Sequence, residues 1–389
     1  MRRFPGTEQR REAPTELLMP LDSRHRGALT AHLLSLGSDD RADRFTGTVS
    51  DDYVTRYVDA IGYARDILIG ALQERRLVGL AHAAVYLEHG ELISEVGVSV
   101  DSGARRRGLG KRLMIAAIDA ARRFNVRRVL VLFRSSNTAM ASLTRSIGGR
   151  VERDGSESSA VFEINAGSRL PLRMVRNSQG TEVLQATQAH ERGRVLLVHG
   201  AGGDSYQWLP QLIPALWNAG FSVCAPTLPV HGRGGDPAQT RLDDLQACVT
   251  ESVEAFAPTL IVGHSLGGYL VQRHLQTRPA ARAVLLASLP PEVPGADDIR
   301  NVMTELHCSN SRRVVGLALA GAPDVDVHAA SRTPLAVLGG ARDRVVPMPW
   351  TRHTAMRYGV EPRFLDGGHR LMLGRAANEV MRALAAFRE

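Results

Sequence analysis

A chain of 389 residues is long for one hydrophobic core and sufficient for two. Apolar residues make up 44% and charged residues 23%, the proportions of a folded globular protein, which excludes a disordered chain. The net charge is +8, carried almost wholly by arginine, with Lys111 the only lysine. The arginines are scattered in pairs and one triplet, without a long basic block, and this argues against a nucleic-acid partner.

Cys224, Cys248 and Cys308 are widely spaced and form no Cys-x-x-Cys, so buried, reduced thiols and a cytoplasmic location are expected, with no bound metal. The basic start, Met1 to Pro5, lacks the apolar segment of a signal peptide. No apolar run approaches the ~20 residues of a membrane span.

In chain order, Leu29 to Leu36 and Asp51 to Ala60 have helical spacing. Ile67 to Leu72 and Leu77 to Leu87 read as strands around a turn at Gln73 to Arg76, and Glu91 to Val100 as a further strand. Leu109 to Phe124 is an amphipathic helix with Leu109, Leu113, Ala116, Ala117 and Ala120 on one face. A strand at Arg128 to Phe133, a helix at Asn137 to Ile147 and strands at Gly149 to Arg153 and Ser159 to Ile164 complete the first half. The polar stretch Asn165 to Arg169 marks a boundary, dividing the chain into domains 1–166 and 167–389.

The chemistry of the first half concentrates where the strand Glu91 to Val100 ends. A glycine-spaced loop carrying Arg105, Arg106 and Arg107 follows, and a helix opens at Leu109. Amides at a helix N-terminus collect an anion, and the guanidinium groups add charge, so the predicted ligand is a pyrophosphate. Neither Gly-x-Gly-x-x-Gly nor a P-loop is present.

Arg105-x-x-Gly108-x-Gly110, with Asn137-x-x-Met140-x-x-Leu143 and Gly148-Gly149 after it, resembles the acetyl-CoA motif of the GNAT-family N-acetyltransferases, over about Pro14 to Ile164. The resemblance implies acetyl-CoA as cosubstrate. It implies that the loop from Arg105 through Arg106, Arg107, Gly108 and Leu109 to Gly110 holds the pyrophosphate. It further implies that Val98 and Val100 lie on the strand pairing with the pantetheine, and that Asn137 contacts the cofactor. The family often carries a tyrosine after the leucine of that second helix, as proton donor to the departing thiolate. Here Thr144 stands there, a much weaker acid. Glu95 is the candidate general base for a substrate ammonium, with a solvated strand carboxylate as the alternative.

From Leu170 a hairpin with its turn at Asn177 to Gly180 leads into alternating elements. These are strands at Val195 to Val198, Ser222 to Cys224, Leu260 to Val262, Val284 to Leu286 and Leu335 to Leu338, with helices near Trp208 to Ala219 and at Leu242 to Phe256. The alternation predicts an α/β fold with a mostly parallel sheet and helices on both faces.

Gly263-His264-Ser265-Leu266-Gly267 joins one of these strands to a following helix, the form of a nucleophile elbow with Ser265 at its tip. A serine hydroxyl needs a base, an acid to orient that base, and donors for the oxyanion. Asp343 follows a strand and His369 sits on a late glycine-rich loop, giving the order Ser, Asp, His. The amides of Ala201, in His199-Gly200-Ala201-Gly202-Gly203, and of Leu266 are the expected oxyanion donors. An aspartate after a strand is by itself more often a turn residue, and His353 and Asp366 are rivals by position. The joint occurrence of the three groups, in order and each at a strand end, decides for the triad. His264 and His231 read as structural or pocket residues.

Val198 to Gly203, Pro229 to Gly234 and Gly263 to Gly268 resemble segments of the α/β-hydrolase family, in its esterase and lysophospholipase-like branch, from about Leu170 onward. The resemblance implies a serine, acid and base at Ser265, Asp343 and His369, and a short cap over Pro290 to Arg332. The expectation is a bifunctional protein acting on acetyl-CoA, a small acyl acceptor and an ester-type substrate. One alternative confines the chemistry to the hydrolase, with the first domain only binding or sensing acyl-CoA. A second is an RNA or ribosome adaptor, for which steep salt dependence of RNA binding is the test.

Overall fold

The computed structural model describes residues 16–63, 65–164, 170–231, 240–292 and 323–387, with 295, 298 and 300. Two α/β domains follow one another along the chain. In the first, β1 (Leu17–Pro20), β2 (Ile67–Gln73), β3 (Arg76–Glu88), β4 (Glu91–Val100), β5 (Arg128–Arg134), β7 (Glu157–Glu163) and β6 (Arg150–Asp154) lie side by side in that order. Glu74 and Arg75, both at positive φ, make the tight turn between β2 and β3 that suits right-twisted antiparallel strands. One face carries α1 (Arg26–Leu34), α2 (Ser38–Arg44) and α3 (Asp51–Asp59). The other carries α4 (Leu109–Arg123), which buries Leu109, Leu113, Ala117 and Ala120 as its periodicity requires. A short helix, α5 (Thr138–Arg145), follows β5.

All strand pairs of this sheet are antiparallel except β4 with β5. That parallel pairing is confined to Ile93–Glu95 against Arg128–Leu130. Beyond it β4 stays paired with β3 as far as Val100, and β5 stays paired with β7 as far as Arg134. The two strands therefore part, and the sheet opens between them.

In the second domain the order is β15 (Arg363–Leu365), β14 (Leu335–Gly340), β13 (Ala283–Leu286), β12 (Leu260–His264), β10 (Arg194–Val198), β11 (Ser222–Pro226), β9 (Glu182–Ala186) and β8 (Leu172–Arg176). From β10 onward every pairing among these strands is parallel, and β8 and β9 form the expected antiparallel hairpin at one edge. α7 (Leu242–Phe256) has the bounds its periodicity predicts, and α8 (Leu266–Thr277) leads out of the elbow.

The helix expected from Trp208 to Ala219 is two pieces, a 3₁₀ turn at Ser205–Trp208 and α6 at Leu212–Asn218. Pro210 between them has no amide to continue the ladder. Most of the expected cap, Cys308 and the linker 165–169 lie outside the described residues. Cys224 and Cys248 are buried and free. Among the described residues no helix is long and apolar enough to cross a membrane. One hydrophobic cluster runs through both domains, taking in Leu92, Leu113 and Ala121 of the first and Leu172, Leu209 and Leu212 of the second.

Candidate active sites of the two domains

β12 ends at His264, and Ser265 turns the chain into α8 with φ +54° and ψ −119°. Such a conformation costs a non-glycine residue about 1–3 kcal/mol and needs its surroundings to hold it. The Ser265 amide donates to the Leu286 carbonyl at 3.1 Å, and its carbonyl accepts from Gly268 at 3.0 Å and Leu289 at 3.2 Å. A Cβ on Gly267 would collide with the carbonyls of Val198 and His199, and one on Gly200 would stand 2.8 Å from the Ser265 Cβ. The loop after β10 thus lies directly against the elbow, which brings Ala201 and Leu266, both buried, into one neighbourhood with Ser265.

Asp343 and His369 follow β14 and β15, adjacent strands of the sheet. Arg342 donates to the Gly367 carbonyl at 2.9 Å and Ala341 to that of Leu365 at 2.9 Å, which ties the two loops together. The Asp343 side chain is wholly buried and accepts from three donors. Oδ1 takes the amides of Val345 at 2.8 Å and Val346 at 2.9 Å, and Oδ2 takes His369 Nδ1 at 2.9 Å. His369 keeps a partly exposed side chain. The rivals are engaged elsewhere: His353 pairs with Glu292 at 2.7 Å and Asp366 with Arg342 at 2.5 Å.

Three more histidines surround the elbow. His264 donates from Nε2 to the carbonyl of His369, and burial, reinforced by the nearby His369, holds its pKa well below the ordinary value. His199 Nδ1 donates to the Gly200 carbonyl at 2.8 Å, and its Nε2 accepts the Leu228 amide at 2.9 Å, which fixes its neutral tautomer. Burial and the neighbouring His231 depress its pKa as well. The Gly200 carbonyl belongs to the same peptide as the Ala201 amide, so His199 orients that amide. His231 faces the Ala201 carbonyl at 3.0 Å from the other side.

In the first domain, the loop before α4 places Arg106 at φ +60° and Gly108 at φ +76°. Gly108 is the N-cap of α4 and supplies no side chain to its amides, whereas Ser50 caps α3 and Asn137 caps α5. Arg106, Arg107 and Gly108 are exposed, Leu109 is buried under the loop, and Gly110 packs near Val100. These residues fit a phosphate-bearing group. The open β4 edge from Val96, including Val98, fits an extended amide chain.

Two of these residues also make bonds within the domain. Arg105 donates from Nε to the Val100 carbonyl at 2.9 Å and pairs with Asp40 at 2.6 Å, so its guanidinium braces the loop. The Asn137 Oδ1 accepts the Met140 amide at 2.9 Å and so caps α5, a bond that does not occupy its Nδ2. Thr144 is buried and donates to the Met140 carbonyl at 2.9 Å, within its own helix. Glu95 is exposed and, by strand alternation, shares a face with Gly97 and Ser99. Ser99 meets His32 of α1 at 2.8 Å, so this is the face of α1 to α3. The Tyr86 phenol is pushed up by burial and by the charge of Glu95.

Arg65, Asp204 and Tyr206, which are not among the residues expected at a site, meet between the domains. Nothing in their local spacing marks them.

Residues 37–148 match the acetyltransferase (GNAT) family, and residues 195–313 match the alpha/beta hydrolase family. No curated protein matches the chain. Among solved structures it is similar to a hydrolase from Pseudomonas aeruginosa PA01, at 20% identity over 57% of this chain and 99% of that one, with a TM-score of 0.46. It is similar to a carboxylesterase structure from Nitrososphaera gargenis, at 16% identity over 56% and 99%, with a TM-score of 0.45. It is also similar to the GNAT domain of S. lividans PAT, at 14% identity over 38% and 90%, with a TM-score of 0.34.

Proposed function

We propose that this chain, which joins a GNAT-family domain to an α/β-hydrolase-family domain, is a bifunctional enzyme: an acetyl-CoA-dependent N-acyltransferase up to about residue 166, and beyond it a serine hydrolase of an ester, thioester or amide. The observation that carries the hydrolase half is the Asp343–His369 pair, whose histidine is bonded by His264, the residue before a serine held at φ +54°. Ser265 Oγ attacks the substrate carbonyl while His369 Nε2 takes its proton. Asp343 holds the imidazole by Nδ1 and stabilises the imidazolium. The amides of Ala201 and Leu266 receive the oxyanion, each worth about 3 kcal/mol of transition-state stabilisation. His369 gives the proton to the leaving group as its bond to the carbonyl carbon breaks; His369 then takes a proton from water, which attacks the acyl-enzyme carbonyl, and returns it to Ser265 Oγ as the acid departs. A cytoplasmic location fits the two buried free thiols.

In the first domain, acetyl-CoA supplies an acyl group activated as a thioester. The loop Arg105 to Gly110 receives its pyrophosphate, and β4 at Val98 and Val100 pairs with its extended arm. Glu95 takes a proton from the substrate ammonium, directly or through water. Thr144 gives no proton to the leaving thiolate, because its hydroxyl is committed to Met140; solvent supplies it. That same observation favours a second reading, a domain that binds acyl-CoA without transferring from it.

Two experiments test the proposal. Ser265→Ala abolishes labelling by a fluorophosphonate probe and abolishes ester turnover; persistence of both defeats the hydrolase half. Acetyl-CoA binds the full chain by calorimetry, and Gly108→Trp, which fills the loop where backbone must approach phosphate, removes the binding. No binding to the wild type defeats the transferase half, and binding without turnover on an amine panel selects the second reading.

A further inference from the structure

The oxyanion loop is followed at once by a turn that the first domain grips. Asp204 opens the turn Ser205–Trp208, accepting the Tyr206 amide at 2.9 Å. Three groups of the first domain reach this turn. The Arg65 guanidinium lies over the Tyr206 ring, 5.4 Å from its centre. The backbone of Leu87 lies beside the Tyr206 phenol, and Asn125 Nδ2 donates to the Leu209 carbonyl at 3.3 Å.

On its inner side the same turn touches both halves of the catalytic site. The Gln207 side-chain amide packs directly on Gly203, where a Cβ would force it to move. The Gly203 amide donates at 3.1 Å to the carbonyl of Gly200, in the peptide that bears the Ala201 amide. Trp208 stands edge-on to His264 with ring centres 6.3 Å apart, and His264 holds the His369 carbonyl.

Asp204 is the charge at the centre of this contact, and it is buried. Arg65, Asp66, Glu182 and Arg370, the residue after His369, are the charged groups that face it. Burial raises its pKa to about 6, and Arg65 is the leading charge that opposes the rise. Arg65 is itself fixed, with Nε 2.9 Å from Asp66 Oδ1. Asp66 also accepts the amides of Gly62 at 3.1 Å and Val85 at 3.2 Å, and meets His82 Nε2 at 3.2 Å. His82 pairs with the Tyr57 hydroxyl, to which Arg44 of α2 donates at 2.6 Å. The guanidinium therefore comes to the interface pre-organised by its own domain.

We infer that Arg65 is a positioning residue for the hydrolase: held by Asp66, it sets the turn Asp204–Leu209 through Tyr206 and Asp204, and through that turn the Ala201 amide and His369. The second domain is then fully active only with the first docked on it. This rests on Ser265 being the nucleophile.

The test is kinetic, on the full chain with p-nitrophenyl acetate. Arg65→Gln lowers kcat about tenfold with KM unchanged, and Arg65→Lys, which keeps the charge, restores most of it. Asp204→Asn lowers kcat comparably, and the double variant falls no further than the lower single, because both act through one turn. Asn125→Ala, a milder loss of the third contact, lowers kcat about threefold and keeps the test open if Arg65→Gln fails to fold. Wild-type kcat in the Arg65 and Asn125 variants, or losses that multiply in the double variant, overturn the inference. A wild type that neither turns over the ester nor labels with fluorophosphonate defeats the hydrolase reading itself, and the role of Arg65 with it.

Discussion

His264 donates from Nε2 to the carbonyl of His369 at 2.9 Å, so the residue before the proposed nucleophile holds the backbone of the proposed base. The two rings lie 4.7 Å apart, and among the described residues the buried His264 Nδ1 has no partner. A cation beside His369 would oppose the imidazolium that forms there in turnover. Burial keeps His264 neutral and avoids that conflict.

His264→Leu removes this bond and leaves the His369 carbonyl, among the described residues, with the Leu371 amide at 3.1 Å. A loss of about 1–2 kcal/mol is expected, read as a roughly tenfold fall in kcat with the thermal midpoint nearly unchanged. An unchanged kcat would mean that the loop after β15 is held without His264.

Asp343→Asn keeps the shape of the side chain but reverses the tautomer it imposes on His369. The expected fall in kcat is about 10⁴-fold, with circular dichroism as in the wild type. A loss of tenfold or less, in order of magnitude, would point to another acid.

Gly267→Ala tests the close approach of the elbow to the oxyanion loop. Its Cβ has no room beside the carbonyls of Val198 and His199, which are backbone and cannot turn aside. Destabilisation of about 3 kcal/mol or more is expected in denaturant unfolding. Wild-type stability would contradict the contact.

Thr144→Val deletes a hydroxyl that is already spent inside α5. Acetyl-CoA affinity and amine-dependent CoA release should change less than about twofold, within the small cost of one helix back-bond. A large fall in CoA release alone would make Thr144 a proton donor after all.

Asp204 adds a pH dependence. Its pKa lies at about 6 in the folded chain against 3.8 for the unperturbed group, so the folded state holds the proton more tightly. The resulting stabilisation is present below about pH 4 and is lost as the pH rises to about 6, to an extent of order 3 kcal/mol. Unfolding free energies measured against Asp204→Asn should show the difference closing over that window and staying flat above it. A difference that grows with pH would reverse the assignment.

The parts legible from sequence were those whose chemistry is local. The elbow needs glycines around one serine at the end of an apolar run, and α7 shows its face from Leu245 to Phe256. α2 was not legible, because Ser38 to Arg44 buries only Ala42 and has no apolar period to read. The Trp208 helix was overextended because its apolar run continues across Pro210. Asn137 illustrates a different limit: the same amide suits a helix cap through Oδ1 and a cofactor contact through Nδ2, and only its distance to Met140 reveals the cap. The contact of Arg65 with Tyr206 joins residues from two domains, and no local spacing carries it.

In the proposed mechanism Ser265 carries the acyl group. Brief incubation with p-nitrophenyl acetate, acid quench and peptide mass spectrometry measures this directly. A mass gain of one acetyl group is expected on the peptide containing Ser265, absent in Ser265→Ala and accumulating in His369→Ala only far more slowly. An acetyl group on a different residue, or ester turnover undiminished in Ser265→Ala, would contradict it.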